Sequence, residues 1–256
     1  MTESLTIDIN CDMGESFGRY SLGNDSAIMP YISSANIACG FHGGDPQVMA
    51  ATVRLALAHG VAIGAHPGLP DLAGFGRRAM ELTPKEIEAI TVYQLGALSG
   101  FIRVAGGRLN HVKPHGALYN MACKDQAIAQ SIARAVNRFD SNLILYGMAG
   151  SELVAAGTRE GLAVAREVFV DRTYQVDGSL TPRQDPGALI TNESDALKQL
   201  HRVIAQGKVC TVDGIDVDVK AETVCIHGDT PGALAFVQAI RQFSHNNRIA
   251  IKPVCR

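Results

Sequence analysis

In the stretch HVKPHGALYN (111–120), His111, Lys113 and His115 stand two residues apart. In an extended segment that spacing puts all three side chains on one face. Pro114 biases Lys113 toward extended backbone and excludes the helical geometry in which histidines four apart would reach one metal ion. The same period recurs in TIDINCDM, where Asp8, Asn10 and Asp12 share a face opposite Ile7 and Ile9. Further polar groups sit in or just after apolar runs: Asn36 and His42 in SANIACGFHGGD, His66 before Pro67, Glu167, Asp171 and Arg172 in REVFVDR, and His227 and Asp229 in IHGD. Ionised groups in such surroundings are costly unless paired or working. A carboxylate there can take a proton from water, imidazoles can carry protons, and an ammonium can offset charge developing on an oxygen. His111 reads as a group that orients its neighbours, Arg172 as an ion-pair partner, and Asp45 as a helix cap.

Short β-rich runs alternate with helical ones, as in βαβ units around a parallel sheet. Strands are expected at 5–11, 34–40, 61–67, 109–115, 143–148, 162–170 and 223–229, and helices near 46–59, 84–105, 126–138, 150–159, 193–206 and 232–244. Asp45 with Pro46, and the TPKE box of Thr83 and Glu86, mark two helix starts. The segment 207–222 breaks the rhythm and reads as a hairpin insertion turning at Asp213-Gly214. The whole chain, 1–256, reads as one α/β domain. Its units either close into an imperfect barrel, the preferred form, or stay an open doubly wound sheet. In both, functional groups gather beyond the carboxyl ends of the strands.

With 46% hydrophobic residues the chain can bury a large core, and a net charge of −2 with dispersed Lys and Arg gives no footprint for nucleic acid or an anionic membrane. No apolar run is long enough for a span and no secretory leader opens the chain, so a cytoplasmic protein is expected. The six cysteines lack a C-x-x-C pair and read as reduced and structural. There is no Walker-type phosphate loop, and GFGRR (74–78) is a weak anion-loop pattern. Asp12, His42 and His66 around a divalent ion are conceivable, but no metal set is expected from ligand types alone.

Taken in order, DINCDMGESFG, SANIACGFHGGDP, GAHPGLPDLAGFGRR, HVKPHGALYN, VFVDRTY and ETVCIHGDTPGA closely resemble the motifs of the LamB/YcsF family, from about Asp8 to about Ala233. Val170, Glu222 and Val224 depart from the commoner family residues and touch no candidate site position. The resemblance implies a seven-stranded β/α barrel of the deacetylase and glycoside hydrolase type. It also implies ATP-dependent opening of 5-oxo-L-proline to L-glutamate together with separate B and C subunits, ATP being used as co-substrate through those partners. The related deacetylases hold zinc through an aspartate and two histidines, whereas GFHGGDP offers one histidine, so that metal is not carried over. On this reading Asp12 is the general base, Lys113 and His66 stabilise the oxyanion, and His115 protonates the leaving nitrogen. Asp8, Asn10, Asn36, His42 and Asp229 hold substrate. The competing readings are a metal-dependent amide hydrolase acting alone and a non-catalytic substrate-binding subunit.

Overall fold

The computed structural model describes residues 5–182, 185–226, 228 and 232–255. Along them run β1 (Thr6–Met13), α1 (Asp25–Ile28), β2 (Ser34–Ala38), α2 (Pro46–Ala58), β3 (Ala62–His66), α3 (Pro84–Val104), β4 (Leu109–Val112), α4 (Gly116–Ala122) and α5 (Gln126–Phe139). They are followed by β5 (Ile144–Met148), α6 (Glu152–Arg159), β6 (Ala163–Phe169), α7 (Glu193–Gln206), β7 (Lys208–Cys210), β8 (Asp216–Asp218), β9 (Thr223–Ile226), α8 (Ala233–Asn246) and β10 (Ala250–Ile251). Strands β1 to β6 and then β9 pair in parallel, and β9 returns to β1 through Asp8↔Thr223 and Asn10↔Cys225, closing a seven-stranded barrel. The choice between barrel and open sheet is thereby made. Strand β10 extends the foot of β1 in parallel, and β7 and β8 form the antiparallel hairpin in the 207–222 segment.

Local chemistry explains most helix starts. Asp45 accepts from Gln47 and Val48 N–H at the head of α2, and Thr83 and Glu86 form the reciprocal box on α3. Asp125, Ser151 and Asn192 cap α5, α6 and α7 in the same way. Helix α7 ends at Gly207, whose φ of 64° is the left-handed conformation a C-terminal cap requires.

The apolar core lies between the strands and the helices. Ile7, Ile9, Cys11 and Met13 point into it from β1, among Ile37, Val53, Leu95, Val168 and Val237, all buried. A fully buried aliphatic side chain of this size stabilises the fold by roughly 1.5–3 kcal/mol. The alternate residues of β1 fill the barrel's inside, which is polar and cross-linked by hydrogen bonds rather than packed with aliphatics. Gly64 marks an irregularity in the β3–β4 pairing, and a Cβ there would stand 2.0 Å from His111 Nε2. Only glycine lets that ring lie across β3.

Strand β4 ends at Val112, three residues before the expected boundary, because Pro114 has no N–H to continue a ladder. Two further bonds keep the segment beside the extension of β3: Lys113 N–H to Ala65 C=O at 2.9 Å and His115 N–H to Pro67 C=O at 2.8 Å. His115 then serves as the residue before α4, a helix the periodicity did not announce. Helix α1 and strand β10 were likewise not foreseen. Among the described residues no helix is long and apolar enough to cross a membrane.

Candidate functional site

The site is built in layers up the barrel's inside. At the foot, Asp8 is 1% exposed and accepts from Ser33 Oγ at 2.6 Å, Ser34 Oγ at 2.8 Å, Thr223 Oγ1 at 2.6 Å and Tyr146 OH at 3.0 Å. Burial pushes its carboxyl above the ordinary aspartate range, and the hydroxyls pull against that shift without overcoming it. Above it, Asn10 Nδ2 donates to Glu167 Oε1 at 2.9 Å and Thr223 Oγ1 at 2.8 Å. Asn36 Nδ2 donates to Asn10 Oδ1 and Asp12 Oδ1, each at 2.8 Å, and Asn36 Oδ1 accepts from His111 Nε2 at 2.8 Å.

His111 therefore carries its proton on Nε2 and lies stacked on Tyr146. Burial first, and Lys113 second, press its pKa down to about 3. In the native state the ring refuses a proton that the unfolded chain accepts below the ordinary 6.5. The unfolded state thus binds more protons between those values, and stability is full above the upper one and is lost as pH falls toward the lower. Denaturant midpoints are expected to drop steadily over this window. A His111→Gln variant, which keeps a donor for Asn36, should flatten the dependence by up to about 1.4 kcal/mol per pH unit. An unchanged slope would remove His111 from the acid response.

Lys113 is the centre of the next layer. Its Nζ lies 2.9 Å from Glu167 Oε1, 3.1 Å from Asp12 Oδ1, 3.2 Å from Asn10 Oδ1 and 3.1 Å from Cys225 Sγ. Burial alone would drive its proton off, but Asp12 first and Glu167 with it outweigh burial and lift the pKa above the ordinary lysine range. Cys225 is itself pushed well up by burial and stays a neutral thiol, so the two carboxylates are the groups that hold the ammonium. Lys113 is accordingly a charge donor and not a base. Tyr119 OH donates to Glu167 Oε2 at 2.7 Å and so fixes the second carboxylate from α4.

At the rim, His66 Nδ1 meets the Lys113 carbonyl at 2.7 Å and His115 Nε2 meets the Phe75 carbonyl at 2.8 Å. A carbonyl only accepts, so both outer nitrogens donate, and the rings turn His66 Nε2 and His115 Nδ1 toward each other at 3.0 Å. Phe75 aims its carbonyl from a backbone φ of 54°, a conformation costing an L-residue roughly 1–2 kcal/mol. His115 is held down at about 3 by burial first and by His66 next, so it is neutral. With its one proton tied to Phe75 it has none to give a leaving nitrogen, and the expected acid role moves elsewhere. His42, which burial and its histidine neighbours hold well below the ordinary range, stacks on His115 with ring centroids 3.6 Å apart. Its Nε2 lies 3.3 Å from Glu15 Oε1, which is itself 3.5 Å from His115 Nδ1. Ligand atoms of Glu15, His42, His66 and His115 all fall within 4.8 Å of one another. The sequence offered one histidine in GFHGGDP, and the fold brings two more beside it from the ends of β3 and β4. Three imidazoles and one carboxylate are a donor set for a zinc-like ion.

A cavity of about 540 Å³ opens over this rim, lined among others by Asp12, His66, Arg77, Lys113, His115, Tyr119, Lys124 and Arg172. The four residues expected to do chemistry, Asp12, His66, Lys113 and His115, all line it. Asp8, Asn10 and Asn36, expected to contact substrate, are buried behind that lining instead, bonded to one another and to the layers around them, and His42 is buried among Glu15, His66 and His115. Asp229 and His227 lie outside the described residues. Sequence reasoning missed Glu15, Tyr119, Arg77 and Lys124. Of these, Tyr119 had a signal: α4 starts directly behind a site segment. GFGRR is no anion loop, for Asp71 accepts the Gly74 N–H at 2.9 Å and pairs with Arg78.

A parallel β/α barrel carrying an acid–lysine pair and a histidine cluster at its strand ends defines an enzyme-like class of protein. The LamB/YcsF family model matches residues 7–256, and the chain belongs to that family. A Brevibacillus brevis protein named as the A subunit of 5-oxoprolinase is 57% identical over 93% of each chain, and one of the same name from Geobacillus kaustophilus is 57% identical over 96% of each. The crystal structure of a lactam utilization protein from Thermus thermophilus superposes with a TM-score of 0.94 at 46% identity, covering 97% of this chain and 100% of that one. A GH26 β-mannanase from Bacteroides ovatus, at 10% identity and a TM-score of 0.50 over 97% of this chain and 91% of its own, shares the barrel alone.

Proposed function

We propose that this chain is the ring-opening A component of an ATP-dependent 5-oxoprolinase, forming L-glutamate from 5-oxo-L-proline together with B and C subunits in the cytoplasm. The observation that carries the reading is the Asp12–Lys113 pair at the floor of the cavity, in a chain whose relatives at 57% identity bear that name. A lactam carbonyl is a poor electrophile, so its oxygen has to be loaded before water will attack. ATP, spent by the partner subunits, supplies that activation by transferring its γ-phosphoryl group to the oxygen with release of ADP; ring opening by one water then leaves an acyl phosphate, which a second water converts to glutamate and phosphate.

Asp12, 17% exposed at its side chain, takes a proton from water as the new C–O bond forms. Lys113 offsets the negative charge gathering at the carbonyl oxygen. When the ring C–N bond breaks, Asp12 returns the proton to nitrogen, so one carboxyl serves first as base and then as acid. Arg77, Lys124 and Arg172 place cationic groups along the lining, on the side where a substrate carboxylate would sit. A zinc-like ion at the neighbouring histidines would supply further positive charge, held by Glu15, His42, His66 and His115.

The test is glutamate release from 5-oxoproline by this chain alone, by B and C alone, and by all three, each with and without ATP. Release is expected only from the complete set with ATP. Turnover by this chain alone without ATP would replace the reading with that of a stand-alone amide hydrolase, and release by B and C alone would make this chain dispensable.

A further inference from the structure

The rim histidines form an arrangement that water or substrate does not explain. His66 Nε2 and His115 Nδ1 face each other at 3.0 Å, and the outer nitrogen of each ring is already bonded to a backbone carbonyl, Lys113 for one and Phe75 for the other. Both inner nitrogens are therefore turned toward one place at the rim. A third imidazole, His42, is 0% exposed, and among the described residues neither of its ring nitrogens makes a hydrogen bond. A buried imidazole left in that state is uncommon without a ligand. Its Nε2 is turned to the same place, 3.3 Å from Glu15 Oε1.

We infer that Glu15, His42, His66 and His115 form a binding site for one divalent transition ion of the zinc class. Bonds of about 2.0–2.1 Å in a tetrahedron set ligand atoms roughly 3.3 Å apart. Three of the six separations are close to this, 3.0 Å for His66–His115, 3.3 Å for His42–Glu15 and 3.5 Å for His115–Glu15, and all six lie within 4.8 Å. The outer bonds from His66 and His115 to carbonyls are those by which metal-bound histidines are commonly oriented. Glycines keep the pocket open, since a Cβ at Gly68 would stand 2.4 Å from His42 Nδ1 and one at Gly76 would stand 2.7 Å from His42 Cβ. To close on an ion, the parallel rings of His42 and His115 have to tilt toward a common point and the more widely spaced ligand atoms have to draw together. Three nitrogens and one oxygen select zinc, cobalt or nickel over magnesium and calcium. Asp12 Oδ2 lies 3.4 Å from His66 Nε2, so the ion would border the proposed base. The inference concerns this chain's own residues and holds whether or not the chain opens lactams.

The experiment strips the full-length chain with a chelator, dialyses it against buffered micromolar zinc, and counts metal by elemental analysis. One zinc per chain is expected, with no retention of magnesium or calcium, and cobalt(II) in its place should show the visible absorption of a low-symmetry, nitrogen-rich site. His42→Ala and Glu15→Gln should each weaken zinc binding by more than the roughly 10–100-fold that loss of an outer-shell partner costs. Far-ultraviolet circular dichroism reports whether each variant is folded. Substoichiometric zinc on the wild-type chain, or equal binding by a folded variant, overturns the inference and assigns the metal to surface histidines or cysteines. If His42→Ala does not fold, Glu15→Gln and the wild-type cobalt spectrum still decide the matter. Because the readout is metal content, a failed lactam assay leaves this result standing, and the reverse also holds.

Discussion

Lys113→Met is expected to lower folding stability by about 3–5 kcal/mol, seen as a lower urea midpoint. The methionine fills nearly the same volume but leaves Glu167 fully buried and Asp12 partly buried, with their shared cation gone. Removing one partner of a buried pair costs more than the pair itself was worth, because the remaining charge has neither water nor counter-ion. Adding Glu167→Gln to Lys113→Met should restore part of the loss, and the double-mutant cycle should return a coupling of roughly 0.5–3 kcal/mol. In the folded fraction, glutamate release with partner subunits should fall roughly 10²-fold or more. A midpoint and a rate both unchanged would mean that the ammonium neither holds the site together nor acts in it.

Asp12→Asn should do the opposite: keep the fold and lose the chemistry. The amide preserves an oxygen for Asn36 Nδ2 and Lys113 Nζ but cannot take a proton from water. General-base loss predicts a fall of roughly 10²–10⁴-fold in the rate of glutamate release, with KM little altered. The denaturant midpoint should stay close to that of the wild-type chain. Wild-type turnover in this variant would take the base role away from Asp12 and shift attention to Glu15.

The periods of two in DINCD and HVKPH carried much of this into the sequence. They place Asp8, Asn10 and Asp12 inside the barrel, and His111 and Lys113 opposite them, because alternation along a strand is a rigid geometric rule. Glu15 obeys no such rule. Gly14 turns the chain at φ 68° immediately after β1, so that Glu15 comes back onto His42, and a turn of that kind leaves no periodic trace. The depth of each residue was equally hidden. Asp8 and Asp12 look alike in the sequence, yet one is clamped by four hydroxyls and the other reaches the cavity, a difference made by where neighbouring strands deliver Ser33, Ser34, Tyr146 and Thr223. His42 looked like a substrate ligand because it follows β2, but the loop folds it under His115, away from the opening.

The hydroxyl clamp on Asp8 has a kinetic corollary. Among the described residues, bonded side chains plug the foot of the barrel, and the cavity opens at the strand ends, so what enters there leaves by the same way. On the proposed reading, a partner that hands over activated lactam would dock across that doorway, and glutamate would leave once it withdraws. Turnover of the assembled complex is therefore expected to include an undocking step, which viscosity or a tethered partner would slow while leaving the bond-breaking rate alone.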